Sequence, residues 1–195
     1  MSKAKRWVAG IDEAGRGPLA GPVTLAMVLM PERRARRAFE GIKDSKHLTP
    51  SARKDWLLKL KFEPKINFWS ASVGPRVIDN FGIQEAIRRA IKRLLNRVPQ
   101  RRIFGLRVLL DGGLKAPPRF SQKTIIKGDE RVPVIAAASI VAKVSRDRKM
   151  VRFSKKYPNY AFDAHKGYGT SHHYKMLKKH GLCEIHRRTF LTKIL

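Results

Sequence analysis

The sequence predicts an α/β fold: a mixed sheet with helices packed on it, followed by a small helical C-terminal appendage. Three observations carry that prediction. Two apolar strand-like runs near the N-terminus are joined by a glycine-rich turn. Strand-like and helix-like segments then alternate. The chain has 195 residues and is 43% hydrophobic, enough to bury one core of ordinary size.

Arg6 to Asp12 reads as a short strand around Val8 and Ile11, and Pro22 to Met30 as a second, buried strand. Between them Ala14 to Gly21 carries three glycines and a proline, so the pair reads as an antiparallel hairpin. Thr49-Pro50 is a helix start, an N-cap followed by proline at the first helical position. Trp56, Leu57 and Leu60 give that helix its apolar face. Ile66 to Val73 is expected to be a third strand, with imperfect alternation. Ile83, Ile87, Ile91, Leu94 and Leu95 recur at helical spacing and predict a helix from Asp79 to Arg97 with a basic outer face. Val108 to Asp111 and Lys123 to Lys127 read as short strands, Val134 to Lys156 as a long helix. The last helix is predicted over Thr170 to His180, stopped by Gly181. A boundary is expected near Tyr157-Pro158. That divides the chain into a main α/β unit, 1–156, and a helical appendage, 157–195, too short for a core of its own.

The formal net charge is +28, from 43 Lys+Arg against 15 Asp+Glu. Such a chain attracts polyanions, nucleic acid first. A single cysteine, Cys183, excludes an intramolecular disulfide and a cysteine-rich zinc ribbon, and points to a reducing, cytoplasmic setting. The most apolar stretch, Leu19 to Met30, is too short to span a membrane and follows Asp12 and Glu13, unlike a signal peptide.

Acids are scarce here, so their placement is informative. Asp12 and Glu13 end the first strand, and Asp111 ends a later one. Acids at the carboxyl ends of neighbouring strands can converge at one sheet edge. Ser139, Lys143 and Asp147 are spaced by four and share a helix face. If that helix crosses the same edge, four carboxylates meet, and a hard divalent cation, Mg²⁺ or Mn²⁺, is the simplest remedy for their repulsion. The plainer readings stay open from spacing alone. A strand-end acid is ordinarily a turn former or an ion-pair partner, and Asp147 lies between Arg146 and Arg148.

The residues Gly10-Ile11-Asp12-Glu13-Ala14-Gly15-Arg16-Gly17-Pro18-Leu19-Ala20-Gly21-Pro22-Val23 closely resemble the opening motif of ribonuclease HII. Asp44-Ser45-Lys46 resembles that family's second block, and Leu109-Leu110-Asp111-Gly112 its third. Lys127-Gly128-Asp129, Ala136 to Val144 and Arg146-Asp147 resemble its helix motif. His165-Lys166-Gly167-Tyr168-Gly169-Thr170, His173 and Ile185-His186-Arg187-Arg188 resemble its C-terminal block. The matches run in order from residue 8 to about residue 190. Two departures are Gly82, where many relatives have a polar residue, and Val134-Ile135 before the alanines. Arg16 in the glycine loop sets the chain apart from the sister family, ribonuclease HIII.

The resemblance implies a ribonuclease H-like fold with a helical C-terminal part. It implies an endonuclease that cuts the RNA strand of RNA–DNA hybrids and nicks DNA duplexes 5′ of an embedded ribonucleotide, as ribonucleotide excision repair requires. Two Mg²⁺ or Mn²⁺ ions would work in the complex, and the ends would be a 3′-OH and a 5′-phosphate. Asp12, Glu13, Asp111 and Asp147 match the metal-binding, catalytic acids. Gly15, Arg16 and Gly17 match the loop that senses the ribose 2′-OH, and Tyr168 the tyrosine against the following sugar. Lys46, Ser139, Lys143 and Lys166, with Arg146 as a further candidate, are expected beside the substrate backbone. The expected partners are RNA–DNA hybrid and ribonucleotide-containing DNA duplex, with no membrane, and the protein is expected to be a monomer.

Rival readings are a non-catalytic nucleic-acid binder, which the charge alone would favour, and a resolvase or transposase of similar fold. The acids argue against the first, the Gly15-Arg16-Gly17 loop and Tyr168 against the second. Zinc held by His180, Cys183 and His186, with His172 and His173 nearby, is disfavoured because the spacing fits no common zinc module well.

Overall fold

The structure is a computed structural model, and it describes residues 6–35, 38–39, 41–42 and 48–192. Strand β1 (Trp7–Ala14) pairs antiparallel with β2 (Val23–Pro31), the predicted hairpin. Helix α1 (Pro50–Phe62) opens as expected, with the Thr49 hydroxyl accepting from the Ala52 amide at 3.2 Å. Strand β3 (Asn67–Val73) adds antiparallel to β2. Helix α2 (Pro75–Leu95) begins four residues before the predicted Asp79, at a proline in the first turn. Gly82 interrupts it with φ 80° and ψ 160°, which hides the true start from a periodicity reading.

After the single turn α3 (Gln100–Ile103), β4 (Leu106–Asp111) pairs parallel with β1. Strand β5 (Ser121–Ile125) pairs parallel with β4, two residues earlier than predicted. Short α4 (Gly128–Arg131) leads into the long α5 (Pro133–Lys156). The single-turn α6 (Phe162–His165) and α7 (Ser171–His180) follow. The five-stranded order is β3-β2-β1-β4-β5, a mixed sheet.

Each face of the sheet is closed by one main helix. Ala9, Ile11, Leu25, Met27 and Leu29 point to one side, under Ile87, Ala90, Ile91 and Leu94 of α2. Val8, Ala26, Val28 and Met30 point to the other, under α5. Helix α5 lies so close to β1 that a Cβ at Gly10 would run into the Val134 carbonyl, so glycine is required there. The residues after Lys156 build a third apolar cluster: Tyr160, Phe162, Leu177, Ile185 and Leu191 pack with Leu19, Ala20 and Met150. Ala20 also forms an antiparallel bridge with His186. The turn between β1 and β2 is thereby built into the C-terminal segment. Among the described residues no helix is long and apolar enough to cross a membrane.

Candidate active site

Strands β1 and β4 run parallel with Ile11 opposite Leu110, so their next residues, Asp12 and Asp111, leave the sheet at the same edge. Both line a cavity of about 410 Å³ together with Glu13, Gly15, Arg16, Gly17, Ser139, Lys143 and Tyr168. Alternation along β1 places Asp12 on the α5 side, where it hydrogen-bonds the Ser139 side chain. Its Oδ1 also accepts from the Glu13 amide at 2.7 Å. Asp111 is held by α4: its Oδ1 accepts from the Gly128 amide at 2.7 Å and the Asp129 amide at 3.3 Å.

The electrostatics of the edge are unfavourable for bare carboxylates. Asp12 is 4% exposed. Burial, then the charges of Asp111 and Glu13, push its pKa from 3.8 up to about 8 against the opposing Ser139 bond. Burial also raises Glu13, with Arg16 pulling the other way. Arg16 Nη1 stands 3.4 Å from Glu13 Oε1, while the buried Oε2 finds no hydrogen-bond partner among the described residues. A buried carboxylate oxygen without a donor, next to two further acids, suits a hard cation with oxygen ligands. As placed, no three acidic, histidine or cysteine side chains among the described residues are grouped tightly enough to enclose an ion.

Asp147 stands apart from the other three. It does not line the cavity, and its Oδ1 takes a 2.9 Å bond from Lys143 Nζ, the i, i+4 neighbour predicted on that helix face. Lys166 is off the cavity wall as well, its ammonium donating to the Asp163 carbonyl. Lys46, with the rest of its block, lies outside the described residues. Arg146 is a correction. It is 0% exposed and bonded to the Pro22 and Ala20 carbonyls, so it cannot reach a phosphate.

Two cavity residues escaped the sequence reading. Asp129 is 1% exposed and lines the wall beside Asp111. Its signal was present, an acid in the Lys127-Gly128-Asp129 block directly after a strand. Arg53 of α1 also lines the wall, and one arginine among 43 basic residues gave no cue.

The histidines form a packed, hydrogen-bonded set. His186 Nδ1 accepts from the Cys183 amide at 2.9 Å, and its Nε2 lies 3.0 Å from His173 Nε2. His173 Nδ1 in turn reaches the Tyr168 carbonyl at 2.9 Å. With His186 Nδ1 an acceptor, both donors are fixed. His186 gives its Nε2 proton to His173, and His173 gives its Nδ1 proton to Tyr168. Burial pushes both rings down to about 4, so they are neutral.

A family profile described as Ribonuclease HII matches residues 9–193. The chain belongs to the ribonuclease HII family. It is 46% identical over 195 residues to the ribonuclease HII of Caldicellulosiruptor bescii, covering 100% of this chain and 91% of that one. Its fold is similar to the ribonuclease H2 of Pyrococcus horikoshii, with a TM-score of 0.74, 29% identity and 96% of each chain covered. It is similar also to the ribonuclease HII of Archaeoglobus fulgidus solved in complex with PCNA, with a TM-score of 0.73, 27% identity and coverage of 92% and 93%. The mixed five-stranded sheet is thus a ribonuclease H-like fold, and membership makes the protein an endonuclease of the ribonuclease H type acting on RNA–DNA hybrids.

Proposed function

We propose that the protein hydrolyses the RNA strand of hybrids and also nicks DNA duplexes on the 5′ side of an embedded ribonucleotide, leaving 3′-OH and 5′-phosphate ends. The observation that carries this reading is the shared cavity. Three acids at the sheet edge face the same space as the glycine loop and a half-exposed tyrosine. A pure nucleic-acid binder has no reason to set carboxylates where phosphate must lie.

Asp12, Glu13, Asp111 and Asp147 would hold the metal, Mg²⁺ or Mn²⁺, two ions in the working complex. When bound, such ions supply a nucleophilic water at neutral pH and stabilise charge on the leaving 3′-oxygen. The rest of the work falls to the chain. Ser139 orients the Asp12 carboxylate, and α4 orients Asp111. Asp147 and Lys143 share a bond that substrate phosphate can compete for, releasing the carboxylate toward the site. Gly15, Arg16 and Gly17 offer backbone donors and acceptors to a 2′-OH, which is itself both and marks RNA from DNA. Tyr168 offers a ring face to the neighbouring sugar, while Arg16, Lys46, Lys143 and Lys166 meet backbone phosphates.

In this reading residues 1–156 form the catalytic unit and 157–195 a substrate-binding appendage. The working form is a cytoplasmic monomer acting in ribonucleotide repair. The test is incubation with Mg²⁺ or Mn²⁺ and a DNA duplex carrying one ribonucleotide, beside an all-DNA control. A nick 5′ of the ribonucleotide is expected, and cleavage that ignores the ribonucleotide, or none at all, would refute the reading.

A further inference from the structure

Two arginines are placed where a charge is expensive. Arg146 and Arg187 are both 0% exposed. A buried guanidinium ordinarily needs a carboxylate to offset its desolvation. Here the hydrogen bonds described for both go to backbone carbonyls, and all five accepting carbonyls belong to the turn between β1 and β2. Arg187 donates from Nη2 to Gly15 at 2.6 Å, from Nη1 to Arg16 at 2.8 Å and from Nε to Gly21 at 3.0 Å. Arg146 donates from Nε to Pro22 at 3.0 Å and from Nη2 to Ala20 at 3.2 Å.

The loop is shaped around these groups. Gly15 has φ +86°, and a Cβ there would land on the Arg146 side chain. The glycine is therefore dictated from below by Arg146 as well as by any ligand above. Arg146 also carries its guanidinium carbon 5.8 Å from the centroid of the Tyr168 ring. The two buried arginines thus touch both parts of the wall that face substrate. Arg187 is fixed in turn by the residues that follow it. The Asp79 carboxylate accepts from the amides of Arg188 and Thr189, each at 3.1 Å, and from the Thr189 hydroxyl at 2.8 Å.

We propose that Arg187 and Arg146 are positioning residues for cleavage at a ribonucleotide: a fork of five N–H bonds holds the carbonyls of the glycine loop inward and fixes the loop against the acidic edge. This rests on the reading of that loop as the 2′-OH sensor. The fork is the working feature, because a guanidinium supplies several donors in fixed geometry where a lysine supplies a single point charge. Preorganisation of a recognition loop acts mainly on the bound, reacting complex, because it places groups correctly rather than adding contacts.

The experiment compares wild type with Arg187→Lys and Asp79→Ala on a duplex carrying one ribonucleotide, reading kcat, KM and, in EDTA, the duplex dissociation constant. Amide hydrogen exchange across residues 15–21 is read in parallel. For Arg187→Lys we expect kcat to fall about 30-fold or more, duplex binding to change by less than about threefold, and loop exchange to accelerate. Asp79→Ala frees the turn after Arg187 and removes a carboxylate charge that favours the buried guanidinium, while leaving the five N–H bonds in place, so it should fold and show the same pattern at about three- to tenfold. Wild-type kcat in the lysine variant would overturn the proposal, as would a kcat loss matched by an equal loss of duplex binding. If Arg187→Lys does not fold, unchanged kcat and loop exchange in Asp79→Ala overturn it instead. Faster loop exchange in a protein whose wild type ignores the ribonucleotide would sink the 2′-OH reading and, with it, the cleavage role, while leaving the loop clamp itself demonstrated.

Discussion

Replacing Asp12 with asparagine should stabilise the metal-free protein, and by more as the pH rises. The folded carboxyl keeps its proton up to about 8, whereas the unfolded one releases it near 3.8. Between those values the folded state binds more protons, so this group's contribution to stability is present at low pH and is lost as pH rises toward 8. Asparagine keeps the acceptor for the Glu13 amide but never has to charge. Each pH unit in that window is worth about 1.4 kcal/mol, so the gain of the Asp12→Asn variant over wild type should widen by about 2 kcal/mol between pH 6 and pH 8, then level off. Urea unfolding followed by circular dichroism in EDTA measures it. A gap that is the same at pH 6 and pH 9 would refute the argument that burial and neighbouring acids hold the proton on Asp12. Magnesium supplies a second reading of the same charge. At a hundredfold excess over its dissociation constant it should stabilise wild type by about 2.7 kcal/mol. That gain should shrink toward pH 6, where protons compete, and largely vanish in Asp12→Asn.

The neutral imidazole pair gives the opposite pH dependence. His173 and His186 titrate near 4 when folded against 6.5 in the free side chain, so stability held above pH 6.5 is lost on acidification toward pH 4. In the Asp12→Asn background, which removes the largest opposing contribution, urea unfolding should show a loss of roughly 4 kcal/mol between pH 6.5 and 4.5; a flat profile would contradict it. Tyr168→Ala should cut nicking at a single ribonucleotide about tenfold while changing duplex affinity less than about threefold, on the scale of one lost stacking contact. Equal losses in both assays would deny the ring its role against the sugar. If about 5 phosphates are neutralised, the logarithm of hybrid affinity should fall with the logarithm of salt with a slope near −4 to −5, and a slope near zero would mean the positive surface does not hold the duplex.

Much of this architecture was legible because local signals and long-range packing agree. Thr49-Pro50 announces α1 by cap chemistry alone, and the buried run of β2 pairs with its neighbour across the glycine turn as a hairpin reading expects. The start of α2 was lost because Gly82 breaks the period, although Pro75 after Gly74 carried the usual signal for a first turn. The single-turn helices α3, α4 and α6 have four residues each, too few for a periodic pattern. At the site, scarcity made the strand-end acids Asp12, Glu13 and Asp111 conspicuous, and only the resemblance to ribonuclease HII chose a metal-site reading over an ordinary turn or ion-pair role; the structure sets these three on one cavity and leaves the fourth expected acid, Asp147, off its wall. Arginines are abundant, and nothing local separates a buried one from a solvated one. Arg146 was therefore read as a phosphate contact, whereas the fold spends it, with Arg187, on backbone carbonyls.

The large positive charge takes on a different meaning once the buried charges are placed. A chain with 43 basic residues could easily have neutralised its acidic edge from within. Among the described residues two such pairings stand at this edge. Lys143 meets Asp147 at 2.9 Å, and Arg16 approaches one oxygen of Glu13 at 3.4 Å. The two cations sunk deepest, Arg146 and Arg187, sit just behind the glycine loop, yet they are tied to carbonyls and form no described hydrogen bond with the acids. Asp12 consequently holds a proton to about pH 8 in a protein whose overall field should favour its ionised form. That local frustration costs stability in the metal-free protein. In the function proposed above, it would also leave the edge ready to exchange a proton for a divalent cation at neutral pH.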